Sequence, residues 1–186
     1  MDTCLVKLDK VYKYDVKTPY DLEIHEKDCI LVSGDNGKGK TTLTKLILGY
    51  INPDRGFVYK KPMKIGYLPE HIEFPLFMKV NRYIDLLSKI KEMTDYETLV
   101  YQFKLPLFKS IYQLSHGNRQ KLGILSACMG HPELIIFDEP LAALDQEGRM
   151  QFYQLIEYLK TKNHTILMIT HFPDMLKPLC NKHITL

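Results

Sequence analysis

The chain has 186 residues, of which 45% are hydrophobic and 25% are charged, as expected of one globular domain with a buried core. Its net charge of +3, from 25 basic and 22 acidic residues, is too small to indicate a nucleic acid or an acidic membrane as partner. The N-terminal residues lack the apolar core of a signal peptide, and no stretch approaches the roughly 20 apolar residues that span a bilayer. We therefore expect a cytoplasmic protein that binds no nucleic acid and reaches a membrane only through a partner.

Short apolar runs alternate with helix-like patterns along the chain. Strands are predicted at 29–33, 64–68, 133–138 and 164–170, and helices at 41–50 and 148–162. Strand, loop, helix and strand in repetition predict an α/β fold with a mostly parallel sheet. Shorter β-like pieces within 1–25 and 56–61 predict a small antiparallel patch beside it. Cys29 and Cys128 lie in apolar runs and are expected to be buried.

The segment 71–113 differs from the rest of the chain. Its pattern is helical but irregular, and it is interrupted by Pro75 and Pro106. We interpret it as a helical subdomain inserted into a single domain, whose core is formed by residues 1–70 and 114–186.

The most specific motif is a glycine-rich segment that matches G-x-x-x-x-G-K-[ST] and is called the phosphate loop below. Its residues are Gly34, Asp35, Asn36, Gly37, Lys38, Gly39, Lys40, Thr41 and Thr42. In such a loop the backbone amides surround phosphates, Lys40 reaches the β- and γ-phosphates, and the Thr41 hydroxyl ligates Mg²⁺. The alternative is a glycine-rich turn with a solvated lysine. A predicted strand before the loop and a predicted helix after it favour a nucleotide site.

A second motif, LIIFDEP, ends a buried strand with two carboxylates. Ligands of open α/β sheets gather at the carboxyl ends of the strands, so Asp138 is expected to hold magnesium beside the phosphate loop. Glu139 is placed to polarise a water that attacks the terminal phosphate. Two solvated carboxylates at a strand end are the alternative interpretation.

Five motifs follow one another in an order that resembles the ATPase domain of the ABC family, over nearly the whole chain. They are GDNGKGKTT, LSHGN (114–118), LIIFDEP, LAALD (141–145) and ITH (169–171). The resemblance implies an ATPase that binds ATP and Mg²⁺ and drives a separate integral membrane permease. LSHGN, called the signature segment below, resembles the family's LSGGQ. In the family this segment caps the ATP on another subunit's phosphate loop, which implies a head-to-tail homodimer.

The same resemblance assigns roles to individual side chains. Ser115 and Gly117 would contact the γ-phosphate across the dimer, and Asp145 would couple the two sites. His171 would contact the γ-phosphate and orient Glu139, although a histidine satisfied at a strand end is the alternative.

The family also stacks adenine on an aromatic side chain near the N-terminus. Tyr12 and Tyr14 both qualify, and spacing does not choose between them. We take Tyr12 as the candidate and keep Tyr14 as the alternative, since either one could be an ordinary surface tyrosine.

Three residues depart from the family pattern. His116 and Asn118 replace a glycine and a glutamine of the signature, and Glu70 replaces a glutamine that helps to ligate Mg²⁺. A carboxylate at position 70 can still ligate magnesium, but it adds negative charge near the γ-phosphate. The GYLPE and LS-x-GN variants resemble those of export-type members, so export is expected.

These departures leave two alternatives to a transport ATPase. One is a degenerate regulatory subunit that dimerises on ATP but hydrolyses little, and the other is a soluble ABC protein that acts on DNA or ribosomes.

Within the transport interpretation, segment 71–113 is expected to dock on the permease. Its apolar side chains are Phe74, Leu76, Phe77, Met78 and Tyr83, for some of which core packing is the alternative role.

Overall fold

The computed structural model describes residues 3–14, 16–93 and 97–186. The strands are β1 Cys4–Tyr12, β2 Tyr20–His25, β3 Cys29–Ser33, β4 Arg55–Lys60, β5 Ile65–Leu68, β6 Leu134–Asp138, β7 Thr165–Thr170 and β8 Lys182–Thr185. The helices are α1 Lys40–Leu48, α2 Val80–Ile90, α3 Glu97–Phe103, α4 His116–Cys128 and α5 Gln146–Thr161. Short 3₁₀ helices cover Ile111–Gln113, Pro173–Met175 and Lys177–Leu179.

A five-stranded parallel sheet forms the centre of the molecule, in the order β5-β6-β7-β3-β8. Every residue of β3, β6 and β7 is buried, because helices and the second sheet cover both faces. The predicted α/β class is therefore confirmed. Edge strand β8 was not predicted, because its sequence KHIT offers only one apolar side chain.

The second sheet is antiparallel, in the order β2-β1-β4, as the short β-like pieces predict. Strand β2 alternates buried and exposed residues, so one face of this sheet lies on the hydrophobic core and the other faces solvent. The sheet packs its buried side chains into the same cluster as the apolar residues of α1.

Segment 71–113 contains α2 and α3, but much of it is loop. Its buried side chains, among them Val80, Ile84 and Phe103, belong to the hydrophobic cluster that covers one face of the central sheet. A division of the chain at residues 71 and 113 stays a prediction, since the segment shares this core. Among the helices of the described ranges, none is long and apolar enough to cross a membrane.

Candidate functional site

The phosphate loop connects the buried end of β3 to the first turn of α1. Gly37 and Gly39 have φ values of 84° and 92°, a left-handed conformation that glycine adopts without steric cost. The Lys40 ammonium group folds back along the loop and donates to the carbonyl of Gly34 at 2.5 Å and to that of Asp35 at 3.2 Å. The loop thus holds its cation directly above its own backbone.

Three elements meet in a cavity of about 380 Å³ beside this loop. It is lined by Asn36, Gly37, Gly39, Lys40, Thr41, Thr42, Glu70, Asp138 and Glu139. The carboxyl ends of β3, β5 and β6 therefore bring together most of the phosphate loop and all three predicted carboxylates. This is the edge of a parallel sheet where ligands bind in open α/β folds.

Asp138 occupies the most electrostatically perturbed position of this cavity. Its side chain is buried, and burial raises its pKa to about 6, with the nearby charges of Glu70 and Glu139 acting in the same direction. Lys40 opposes the shift. The negative charge of the three carboxylates therefore exceeds the positive charge of Lys40. A bound cation would reduce this excess.

Magnesium fits these side chains by the chemistry of its donors. Thr41, Glu70 and Asp138 present hydroxyl and carboxylate oxygens to one cavity, and Mg²⁺ prefers oxygen ligands. In the ranges that the structure describes, no group of three or more His, Cys, Asp or Glu could hold a metal alone. A magnesium ion here would share its coordination with phosphate oxygens, as is usual in nucleotide sites.

Glu139 is held by contacts on both carboxylate oxygens. The Thr170 hydroxyl donates to Oε2 at 2.9 Å, and the His171 backbone amide donates to Oε1 at 2.9 Å. The Nδ1 atom of His171 also lies 2.5 Å from Oε1, and it is the donor because an ionised carboxylate can only accept. These three contacts fix the orientation of a buried carboxylate at the end of the cavity.

The backbone at Glu139 is also constrained. Its φ of 49° is uncommon for a residue with a side chain, and such positions persist only where the surroundings hold them. The Glu139 amide donates to the carbonyl of Ile169, and the buried Gln120 amide donates to the carbonyls of Glu139 and Pro140, both at 3.2 Å. Sequence reasoning missed Thr170 and Gln120. The only signals were a threonine within ITH and a glutamine on the buried side of a helix.

A second cavity of about 880 Å³ continues from the phosphate loop toward β2 and β8. Gly37, Lys38, Gly39 and Thr42 line it, and so does Tyr14. Tyr12 is not among its lining residues, because it lies in β1 and pairs with Arg55 of β4. Tyr14, the alternative candidate, thus lines this cavity and Tyr12 does not, and the assignment of either to adenine stays a prediction.

The remaining predicted residues lie elsewhere. Among the described residues, Ser115, Gly117 and Asp145 line neither cavity. Ser115 caps α4 by accepting from the Asn118 amide at 3.2 Å, and Asp145 caps α5 by accepting from the Gly148 amide at 2.8 Å. One chain therefore brings the phosphate loop and carboxylates together but leaves the signature segment outside that cluster.

A phosphate loop, an acidic strand end and a doubly covered parallel sheet define a phosphate-loop nucleotide-binding protein. Comparison with known proteins refines this class. The ABC transporter family matches residues 18–142. The zinc import ATP-binding protein ZnuC of Rickettsia prowazekii (strain Madrid E) is 33% identical over 174 residues, 86% of this chain and 72% of the relative.

ZnuC of Pseudomonas syringae pv. syringae (strain B728a) is 30% identical over 180 residues, 92% of this chain and 69% of the relative. Among solved structures, the dimeric ABC transporter cassette MJ0796 superposes with a TM-score of 0.82 at 20% identity, covering 97% of this chain and 94% of that one. The chain thus spans about 70% of the length of these curated relatives.

The chain belongs to the ABC transporter family, as an ATP-binding subunit. Subunits of this kind are ATPases, bind ATP and work with a membrane permease on its cytoplasmic side, so these expectations are confirmed.

Proposed function

We propose that this subunit hydrolyses ATP at a site formed by the phosphate loop, Asp138 and Glu139, and that it powers import through a separate permease. The observation that carries the proposal is the single cavity that joins the loop to both carboxylates. Backbone amides of the loop would bind the phosphates, and Lys40 would exchange its contacts with loop carbonyls for phosphate oxygens. Thr41 and Asp138 would hold Mg²⁺, with Glu70 nearby. Bound magnesium would neutralise charge on the phosphate oxygens.

Glu139 would act on the attacking water. Thr170 donates to Oε2, and His171 contacts Oε1. These contacts orient the carboxylate and leave it able to accept a proton from water. The His171 ring, which is one-third exposed, would present its other nitrogen to the γ-phosphate. This arrangement counts against a degenerate subunit, because the chain retains the phosphate loop, Asp138, Glu139 and His171.

Adenine would occupy the larger cavity, against Tyr14. That side chain is 66% exposed, so its ring is accessible to a planar base. Tyr14→Ala should raise the KM for ATP several-fold and leave kcat nearly unchanged, because stacking contributes to binding and not to the transfer step. Tyr12→Ala is the matched control and should leave KM unchanged.

The signature segment indicates a head-to-tail dimer. Ser115 is exposed and lies outside the phosphate cavity of its own chain, and Gly117 is close to the Ala143 carbonyl, 3.0 Å from where a β-carbon would stand. A second copy would bring this helix start to the γ-phosphate. Glu139→Gln protein should convert from monomer to dimer when MgATP is added, as measured by light scattering. A monomer with ATP bound would contradict the dimer.

Import of zinc is the transport reaction that we propose. It is supported by the two relatives above, which are zinc import proteins at 33% and 30% identity. They count against the expectation of export. That expectation rested on variants at nucleotide-contacting positions, which carry no information about the substrate path in another polypeptide. Deleting the gene should lower zinc accumulation and growth in zinc-depleted medium. The parental gene should restore both, and the Glu139→Gln gene neither.

Residues 71–113 are proposed to dock on the permease. Phe77 is 89% exposed, and its ring lies 6.1 Å from that of the half-exposed Tyr112. Phe74 and Tyr83 instead pack edge to face and contact the hydrophobic core, so the core-packing alternative holds for them. Phe77→Glu should detach the subunit from membranes and spare ATP binding. Phe57→Glu, a similarly exposed phenylalanine on β4, is the matched control and should not detach it.

A further inference from the structure

Two cysteines that are 151 residues apart in sequence lie in contact at the end of the central sheet opposite the phosphate loop. The Sγ atoms of Cys29 and Cys180 are 3.8 Å apart, and both thiols are free. Cys29 is buried at the start of β3, whereas Cys180 is partly exposed just before β8. The Asn181 amide donates to the Cys29 carbonyl at 2.9 Å, so the backbone already holds the pair together.

We propose that Cys29 and Cys180 are a reversible oxidation site that closes into a disulfide. The sulfurs need to approach only from 3.8 Å to about 2.05 Å. The two thiols share a hydrogen bond that lowers the pKa of Cys29, which favours the thiolate on that residue. Disulfides in cytoplasmic proteins are usually transient and redox-sensing, which fits a site that is reduced at rest.

Hydrogen peroxide is the oxidant class that this site would take, because Cys29 is buried and only a small oxidant could reach it. The Cys29 thiolate attacks peroxide, the O–O bond breaks, and a sulfenic acid and hydroxide form. The Cys180 thiol then attacks the sulfenic sulfur, the S–S bond forms, and water leaves. Two thiols are oxidised, and one peroxide is reduced to two waters.

The bond would connect strands that end at the phosphate loop. Leu186 follows β8, donates to the Ser33 carbonyl at 2.9 Å, and lies beside Gly34. Ile184 and Thr185 of β8 line the larger cavity. Oxidation would therefore tie the start of β8 to the start of β3, at the end of these strands away from the phosphate loop.

Mass spectrometry of the full chain tests this proposal. After peroxide treatment, the protein should lose two hydrogens, yield a cross-linked peptide pair containing Cys29 and Cys180, and revert with dithiothreitol. Its melting temperature should rise by about 5–10 °C on oxidation. Cys180→Ser should abolish the cross-link and the shift. The double variant Cys4→Ser, Cys128→Ser should retain both. Oxidation of Cys180 to sulfinic acid without a cross-link, or a cross-link through Cys4, would overturn the proposal.

A second inference concerns Gln120 and rests on the assignment of Glu139 as the hydrolytic carboxylate. We infer that Gln120 is a positioning residue, which holds the strained Glu139 peptide from the signature helix α4. Its Nε2 is within 3.2 Å of two consecutive carbonyls, those of Glu139 and Pro140, and the side chain is 6% exposed. Because Ser115 caps the same helix, α4 connects the surface offered to a second copy with the carboxylate of this chain.

Substitution of Gln120 separates positioning from simple packing. Gln120→Met keeps the volume but removes the donor to both carbonyls, so kcat should fall by about tenfold or more, with the KM for ATP unchanged. Gln120→Glu should regain activity as pH falls, because a buried carboxyl group has a raised pKa and can donate once protonated. The turnover of Glu139→Gln is measured first. Parental turnover in that variant would show that the assignment of Glu139 is wrong, which is a different outcome from failure of the inference about Gln120.

Gln151 is the matched control, since it is also helical and 6% exposed but does not contact Glu139. Gln151→Met and Gln151→Glu should leave kcat and the shape of the pH profile unchanged. Parental kcat in Gln120→Met, or a Gln120→Glu pH profile parallel to that of the parent, would overturn the inference.

Discussion

Glu139 and Ser115 belong to two parts of the proposed ATP site, and the two side chains are held in different ways. The Glu139 carboxylate is buried and accepts from Thr170 and twice from His171, so its position is fixed within one chain. The Ser115 hydroxyl is exposed and bonds a backbone amide of its own helix. Within one chain, the contacts of the Glu139 carboxylate are complete, whereas Ser115 of the signature segment faces outward. The head-to-tail dimer proposed above would account for this difference.

The largest effect on hydrolysis is expected from a change at Glu139. Glu139→Gln preserves shape but removes the proton acceptor, so kcat should fall by about 10²–10⁴-fold while ATP binding persists. Lys40→Ala should instead abolish nucleotide binding, because it removes the cation that faces the phosphates. Steady-state hydrolysis and nucleotide titration distinguish the two losses. Parental turnover in Glu139→Gln would remove the basis of the comparison.

Loss of a single contact to Glu139 should have a smaller effect. Thr170→Val is nearly isosteric and removes the hydroxyl that donates to Oε2 at 2.9 Å. A hydrogen bond to a charged group contributes about 1.5–3 kcal/mol, so kcat should fall by about 10- to 100-fold. ATP affinity should not change, since Thr170 is not among the residues that line the phosphate cavity. Thr165→Val, a buried threonine at the opposite end of β7, is the control.

The crowding of carboxylates should cost stability in the absence of ligand. The folded-state pKa of Asp138 is about 6, above its ordinary value of 3.8, so the folded protein binds this proton more tightly than the unfolded chain. Stability from this group is therefore present at low pH and lost as pH rises through about 6. Asp138→Asn should stabilise the nucleotide-free protein at neutral pH by about 3 kcal/mol and abolish hydrolysis. Urea unfolding at two pH values measures the gain, which should vanish below pH 4.

The smallest effect concerns Asp145, which caps α5 through the Gly148 amide. Asp145→Ala should cost about 1 kcal/mol of stability through loss of the cap. Asp145→Asn keeps the cap, and so its stability should match that of the parent. If Asp145 also couples the sites, Asp145→Asn should still slow hydrolysis. A parental rate in this variant would leave helix capping as its role.

The phosphate loop, the central strands and the acidic strand end could be predicted because each is encoded locally. An apolar run followed by a glycine-rich turn needs no knowledge of the rest of the chain. Strand β8 was not predicted because its sequence has only one apolar side chain. Its position depends on pairing with β3, which lies about 150 residues earlier in the chain.

Contacts between distant segments could not be read from the sequence. Gln120 and Thr170 reach Glu139 only because α4 and β7 pack beside the end of β6. The choice between Tyr12 and Tyr14 depended on a chain reversal between β1 and β2, which spacing does not specify. Sequence therefore suggested the chemistry that we propose for the site, whereas its supporting contacts required the fold.

The claim that one chain's signature segment completes another chain's site can be tested by directed cross-linking. One chain would carry Asn36→Cys in the phosphate loop and the other Ser115→Cys, both with Glu139→Gln and with native cysteines replaced. A short bifunctional thiol reagent should join the two different chains when MgATP is present, and not in its absence. Cross-linking between two Ser115→Cys chains, or none between chains with ATP bound, would contradict the head-to-tail arrangement.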